Sequence, residues 1–126
     1  MRRFACLVLF TIAACTASPT PQHRINVFFA EWSAAIDPPA VEAISDAAQW
    51  AKDHPGDVVK VIGYADPTGG GAANDAISRT RAQVVADQLV KDGMDRARII
   101  LGAQGATGFT LTSQESRRVE IAIGGS

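Results

Sequence analysis

The chain of 126 residues has only two cysteines, Cys6 and Cys15, and none after residue 15. The rest of the sequence therefore carries no disulfide framework and offers no thiol nucleophile. Its two histidines, His23 and His54, lie far apart, and no His/Cys pair has metal-ligand spacing. No excess of positive charge is present either: 12 Lys and Arg stand against 13 Asp and Glu, which argues against a general grip on nucleic acid. A spanning helix needs roughly 20 consecutive apolar residues, and the apolar run Phe4–Ala14 is too short for one. Without a paired-carboxylate, metal or activated-nucleophile signature, hydrolytic catalysis is not expected, and neither is any cofactor.

The N-terminus reads as an export leader. Met1-Arg2-Arg3 is basic, the run from Phe4 is apolar, and the stretch closes on Ile12-Ala13-Ala14-Cys15. An aliphatic residue, two small ones and a cysteine resemble a bacterial lipobox, with Cys15 lipidated as the first mature residue. Cleavage after Ala17 is the competing reading. The pattern predicts a signal peptide over 1–14, a lipidated N-terminus and linker over 15–24, and a folded domain over 25–126. By lipoprotein sorting rules, Thr16 in place of an aspartate after the cysteine favours the outer membrane, with the domain in the periplasm.

Ile25–Phe29 is β-branched and aromatic and predicts a strand. Asp37-Pro38-Pro39 predicts a helix start, with Val41, Ile44, Ala48 and Ala51 on its core face and a stop at Pro55-Gly56 after His54. His54 suits the negative end of that helix dipole. Val58–Ile62 predicts a second strand, Ala72–Lys91 a second helix closed by Asp92-Gly93, and Arg98–Leu101 a third strand. A glycine- and threonine-rich loop, with room for a helical turn, leads to a last strand. There Val119, Ile121 and Ile123 alternate with Arg118, Glu120 and Ala122, the period of a half-exposed strand. The order β-α-β-α-β-β implies an α+β sandwich: two helices on one face of a mixed four-stranded sheet.

The second helix and the loop before it carry the chemistry. In "GYADPTGGGAANDAISRTRAQVV" (Gly63–Val85), Ser78, Ala82, Val85, Ala86 and Leu89 form the core stripe at 100° per residue. Arg79, Gln83, Asp87 and Lys91 face water. A flank of Asn74, Ile77, Arg81, Val84 and Gln88 mixes polar and aliphatic groups, as the wall of a site does, or as a surface packed on the last strand's edge does. A phosphate loop needs Lys-Ser/Thr after its last glycine, but Ala72-Ala73-Asn74 follows Gly71. Asp66 would also repel a pyrophosphate. One carboxylate, Asp66, and one guanidinium, Arg81, either flank a zwitterion or pair with each other.

Taken in order, "GYADPTG", Asn74, "ISRTRAQVV", "QLVKDGMDRARI" and "SRRVEIAI" resemble the OmpA-like (OmpA/MotB C-terminal) peptidoglycan-binding domain from Ile25 to Ile123. With the lipobox, the resemblance extends to peptidoglycan-associated lipoproteins of the Pal type. It implies noncovalent binding of a diaminopimelate-containing stem peptide, tethering membrane to wall without enzymatic activity. The family's functional positions fall on Asp66, Asn74, Ile77, Arg81 and the pair Arg117-Arg118, of which Arg117 faces the ligand. Ala30, Trp32, Tyr64, Ala65 and Ser116 depart from the family's usual residues, and Glu31 is shifted by one. Trp32 either packs beside the first strand or covers the ligand. The alternative is an OmpA-like protein-interaction module of an envelope complex (Tol–Pal or a secretion accessory) that does not bind wall.

Overall fold

The structure, a computed structural model, describes residues 21–66, 70–105 and 113–125. The leader, Cys6, Cys15 and the Ala17 cleavage point lie outside the described residues, as do Pro67–Gly69 and most of the loop over 102–113. Strand β1 spans His23–Phe28, helix α1 Pro38–Asp53, strand β2 Val59–Tyr64 and helix α2 Gly71–Lys91. A 3-10 turn, Arg96–Arg98, leads into β3, Ile99–Gly105, and a short helix α3, Ser113–Ser116, precedes β4, Arg118–Ile123. The sheet order is β1-β4-β2-β3; β4 runs antiparallel to both neighbours, and β2 pairs β3 in parallel. This is the α+β architecture expected, two helices on a mixed four-stranded sheet.

Each boundary has a local cause. Asp37 caps α1 by accepting a 2.9 Å hydrogen bond on Oδ1 from the Ala40 N–H, with proline at the first helical positions. Asp37→Ala is expected to cost about 1 kcal/mol, read as a shift in urea midpoint. At the other end, the Arg98 guanidinium donates to the carbonyls of Ala51, His54 and Asp57 at 2.8–2.9 Å, holding the helix C-terminus against β3. Arg98 thus lies in the 3-10 turn rather than in the strand, and β3 continues to Gly105, beyond the predicted Leu101. His54 is the C-cap of α1, and Trp50 stacks between His23 and His54 at centroid distances of 4.0 and 4.4 Å.

The core lies between sheet and helices. Ile44, Ala47, Ala48 and Ala51 of α1 and Ala82, Val85 and Leu89 of α2 meet Val27, Val59, Val61, Val119, Ile121 and Ile123. Two expectations are corrected. Val41 is 37% exposed, because the buried stripe of α1 starts at Ala40 and continues through Ile44 and Ala47. Ala122 is buried, although it sits on the sheet face away from the helices. Strand β4 is internal, and Ala122 pairs across with Arg24 on one side and Lys60 on the other, long stems that shield a methyl between them.

Candidate functional site

The C-terminal ends of β1 and β2, the first turns of α2 and the residue entering β4 converge on one cleft. It is open to solvent and lined by Glu31, Trp32, Ala65, Asp66, Asn74, Ile77, Arg81 and Arg117. All five predicted ligand-facing residues, Asp66, Asn74, Ile77, Arg81 and Arg117, are therefore brought together.

Backbone geometry aims them. At the end of β2, Tyr64 pairs with Gly105 after Gly63 pairs with Ala103, so the register slips by one residue. The Ala65 N–H bonds the Gly105 carbonyl at 2.6 Å beyond the slip, and Asp66 follows, turned into the cleft and 5% exposed. Helix α2 presents Asn74, Ile77 and Arg81 at spacings of three and four, one flank of the helix. Asn74 and Arg81 are buried and Ile77 half-buried. Between the two arginines before the last strand, Arg117 turns inward. Arg118 goes to the opposite face of the sheet, where its guanidinium stacks over Tyr64 at 4.0 Å.

The ion pair in the cleft is not the one weighed from sequence. Arg117 NH1 donates to Asp66 Oδ2 at 3.1 Å, and Arg117 Nε donates to the Phe29 carbonyl at 3.3 Å. Arg81, 1% exposed, turns its Nε to the Ser33 carbonyl at 2.8 Å and its NH2 to the Ala30 carbonyl at 2.9 Å. Its guanidinium also lies 5.3 Å over the Phe29 ring. Burial pushes the Arg81 pKa down, the neighbouring Arg117 charge pushes it the same way, and Asp66 opposes both. Arginine nevertheless stays charged. The Nε/NH2 edge of its fork thus serves the 30–33 turn.

Glu31, shifted by one from the family's usual acid, also lines the cleft, as does Trp32. Trp32 is 52% exposed there rather than packed beside the strand. The departure at Ala30 does not affect its bond to Arg81, which uses a carbonyl that any residue supplies. Among the described residues, no group of three or more His, Cys, Asp or Glu is placed to hold a metal.

A small open-faced α+β sandwich with a charge-balanced cleft at its strand ends is a binding module. Residues 28–121 match the OmpA family, and the chain belongs to it. A probable lipoprotein of Escherichia coli, YiaD, is 36% identical over 104 residues, covering 78% of this chain. The chain spans about half (48%) of that relative's length. Among solved structures, the OmpA-like domain of FopA1 from Francisella tularensis superposes with a TM-score of 0.75 at 25% identity, covering 82% of this chain and 73% of that one. The peptidoglycan-associated lipoprotein from Burkholderia pseudomallei gives 0.70 at 23% identity over 79% and 89% of the two chains. The C-terminal domain of Helicobacter pylori MotB gives 0.70 at 21% over 80% and 84%. Both of these share the fold. OmpA-family domains of this kind are binding modules rather than enzymes, and so is this one.

Proposed function

We propose that the domain binds peptidoglycan noncovalently through a diaminopimelate-containing stem peptide, and that lipid on Cys15 tethers it to the outer membrane. The observation that carries the reading is the composition of the cleft. Two carboxylates, Glu31 and Asp66, and two guanidiniums, Arg81 and Arg117, line one cleft. A zwitterion matches such a cleft, whereas a simple anion or cation meets repulsion from half of its charges. The terminal centre of diaminopimelate is an ammonium beside a carboxylate. Its ammonium displaces Arg117 from Asp66, and the released guanidinium then takes the carboxylate. Because one ion pair is exchanged for two, the net gain per site is modest. Anchoring in two dimensions against many wall sites multiplies it. The relative named as a lipoprotein and the leader-like N-terminus support the membrane anchor.

The test is co-sedimentation of residues 19–126 with purified insoluble sacculi. Asp66→Asn, which keeps the shape and removes the charge, is expected to reduce the bound fraction by at least tenfold, since a charged hydrogen bond contributes about 1.5–3 kcal/mol. Failure of the unmodified domain to sediment would sink wall binding in favour of a protein partner in the envelope.

A further inference from the structure

Trp32 combines two features that the fold does not require. It is the only non-glycine residue with positive φ (51°) among the described residues, and it is 52% exposed. It occupies the third position of the turn 30–33, closed by the Ser33 N–H to the Ala30 carbonyl at 3.2 Å. At that position a positive φ ordinarily selects glycine or asparagine. A large aromatic there is strained and leaves apolar surface in water. The turn is nonetheless held firmly. The buried Arg81 grips its carbonyls on both sides of Trp32, at Ala30 and Ser33, and the Ser33 hydroxyl accepts from the Ala35 N–H at 3.1 Å. Trp32 lines the same cleft as Asp66, Ile77 and Arg117.

We infer that Trp32 is the aromatic wall of the ligand site, and that it packs on the aliphatic segment of the bound stem peptide. The inference rests on the peptidoglycan reading above. Charged groups at Asp66 and Arg117 fix one end of the ligand. The methylene chain leading away from a diaminopimelate centre then needs an apolar surface, and Ile77 and the Trp32 indole supply it from two elements. Arg81 is in this respect a positioning residue: it spends one edge of its fork on holding the turn that carries the indole.

The experiment follows Trp32 directly. Trp50, the other tryptophan, lies at the far end of α1, so Trp50→Phe leaves Trp32 as the sole indole. In that background, titration with a synthetic stem peptide containing meso-diaminopimelate is expected to shift Trp32 emission to the blue. Trp32→Gly, which relieves the positive φ, is expected to hold or raise Tm. It should also weaken both peptide and sacculus binding about tenfold, the loss of on the order of 50 Å² of indole contact. Trp32→Phe should retain most of the binding. An unmoved emission spectrum at saturating peptide, or sacculus binding by Trp32→Gly equal to that of the unmodified domain, would overturn the inference while leaving wall binding intact. A fall in Tm in Trp32→Gly that matches its loss of binding would overturn it too, by making Trp32 a packing residue. If the unmodified domain binds neither peptide nor sacculi, the peptidoglycan reading fails and the inference falls with it.

Discussion

Arg81→Ala is expected to lower the stability of the domain by about 3 kcal/mol, and the wall binding proposed above should be lost through a loosened turn as well as a missing charge. The side chain is the largest of those fully buried, so its removal leaves a void beneath the 30–33 turn. Two charge-assisted hydrogen bonds, to Ser33 and Ala30, go with it, and the Phe29 ring loses the cation above it. Part of the loss is returned, because Arg117 no longer faces a second positive charge. For a domain of about 100 residues the net effect is a fall in Tm of roughly 10–20 °C. Arg81→Lys keeps the charge but cannot fork onto both carbonyls, and should fall between the two. Differential scanning fluorimetry beside urea denaturation measures this. An unchanged Tm in Arg81→Ala would mean that the turn does not depend on the guanidinium. The comparison also ranks the tests of function. Loss of sedimentation in Arg81→Ala mixes folding with binding, whereas Asp66→Asn reports on the site with less disturbance of the core.

Much of this arrangement is readable along the chain, because its causes are local. Asp37-Pro38-Pro39 and Asp92-Gly93 are helix punctuation, and the stripe from Ser78 to Leu89 is periodicity alone. Helical spacing puts Asn74, Ile77 and Arg81 on one flank, with Asp66 in the loop before it, whereas Arg117 joins them only through the ordered family resemblance. What stayed illegible depends on tertiary placement. Asp66 pairs with Arg117 across 51 residues because β4 inserts between β1 and β2 and delivers Arg117 to the end of β2. No local pattern carries that insertion. Arg81 sits on a flank that the helical wheel reads as semi-exposed, and it is buried only because the turn after β1 folds over it. Trp32 has no glycine or asparagine beside it to advertise a left-handed turn. Ala122 obeys the strand period and is buried by its neighbours' stems instead.

Gly63→Ala is expected to be the most damaging small substitution in the domain, costing about 3 kcal/mol or more. Gly63 follows Val59 and Val61 on the face of β2 that meets the helices. There the α2 backbone passes so close that an added Cβ would run into the Ser78 carbonyl oxygen, with the carbonyl carbon at 2.8 Å. The carbonyl belongs to the helix ladder and cannot swing aside as a flexible side chain would. Ser78 is itself pinned, its hydroxyl donating to the Asp75 carbonyl at 3.0 Å and accepting from the Gly105 N–H at 3.2 Å. A methyl at position 63 must therefore lift the whole first half of α2 off the sheet. Asn74, Ile77 and Arg81 ride on that half, facing Asp66, so the cleft widens as the helix retreats and binding should fall with stability. Gly56→Ala is the matched control: nothing lies within 4 Å of its added Cβ, and no positive φ restricts it. It should change stability by no more than about 0.5 kcal/mol, in the stabilising direction if at all. Equal melting temperatures for the two variants would show that β2 and α2 are not in backbone contact at Gly63. A selective collapse of Gly63→Ala would show that the spacing of the site is set by one absent side chain in the sheet beneath it.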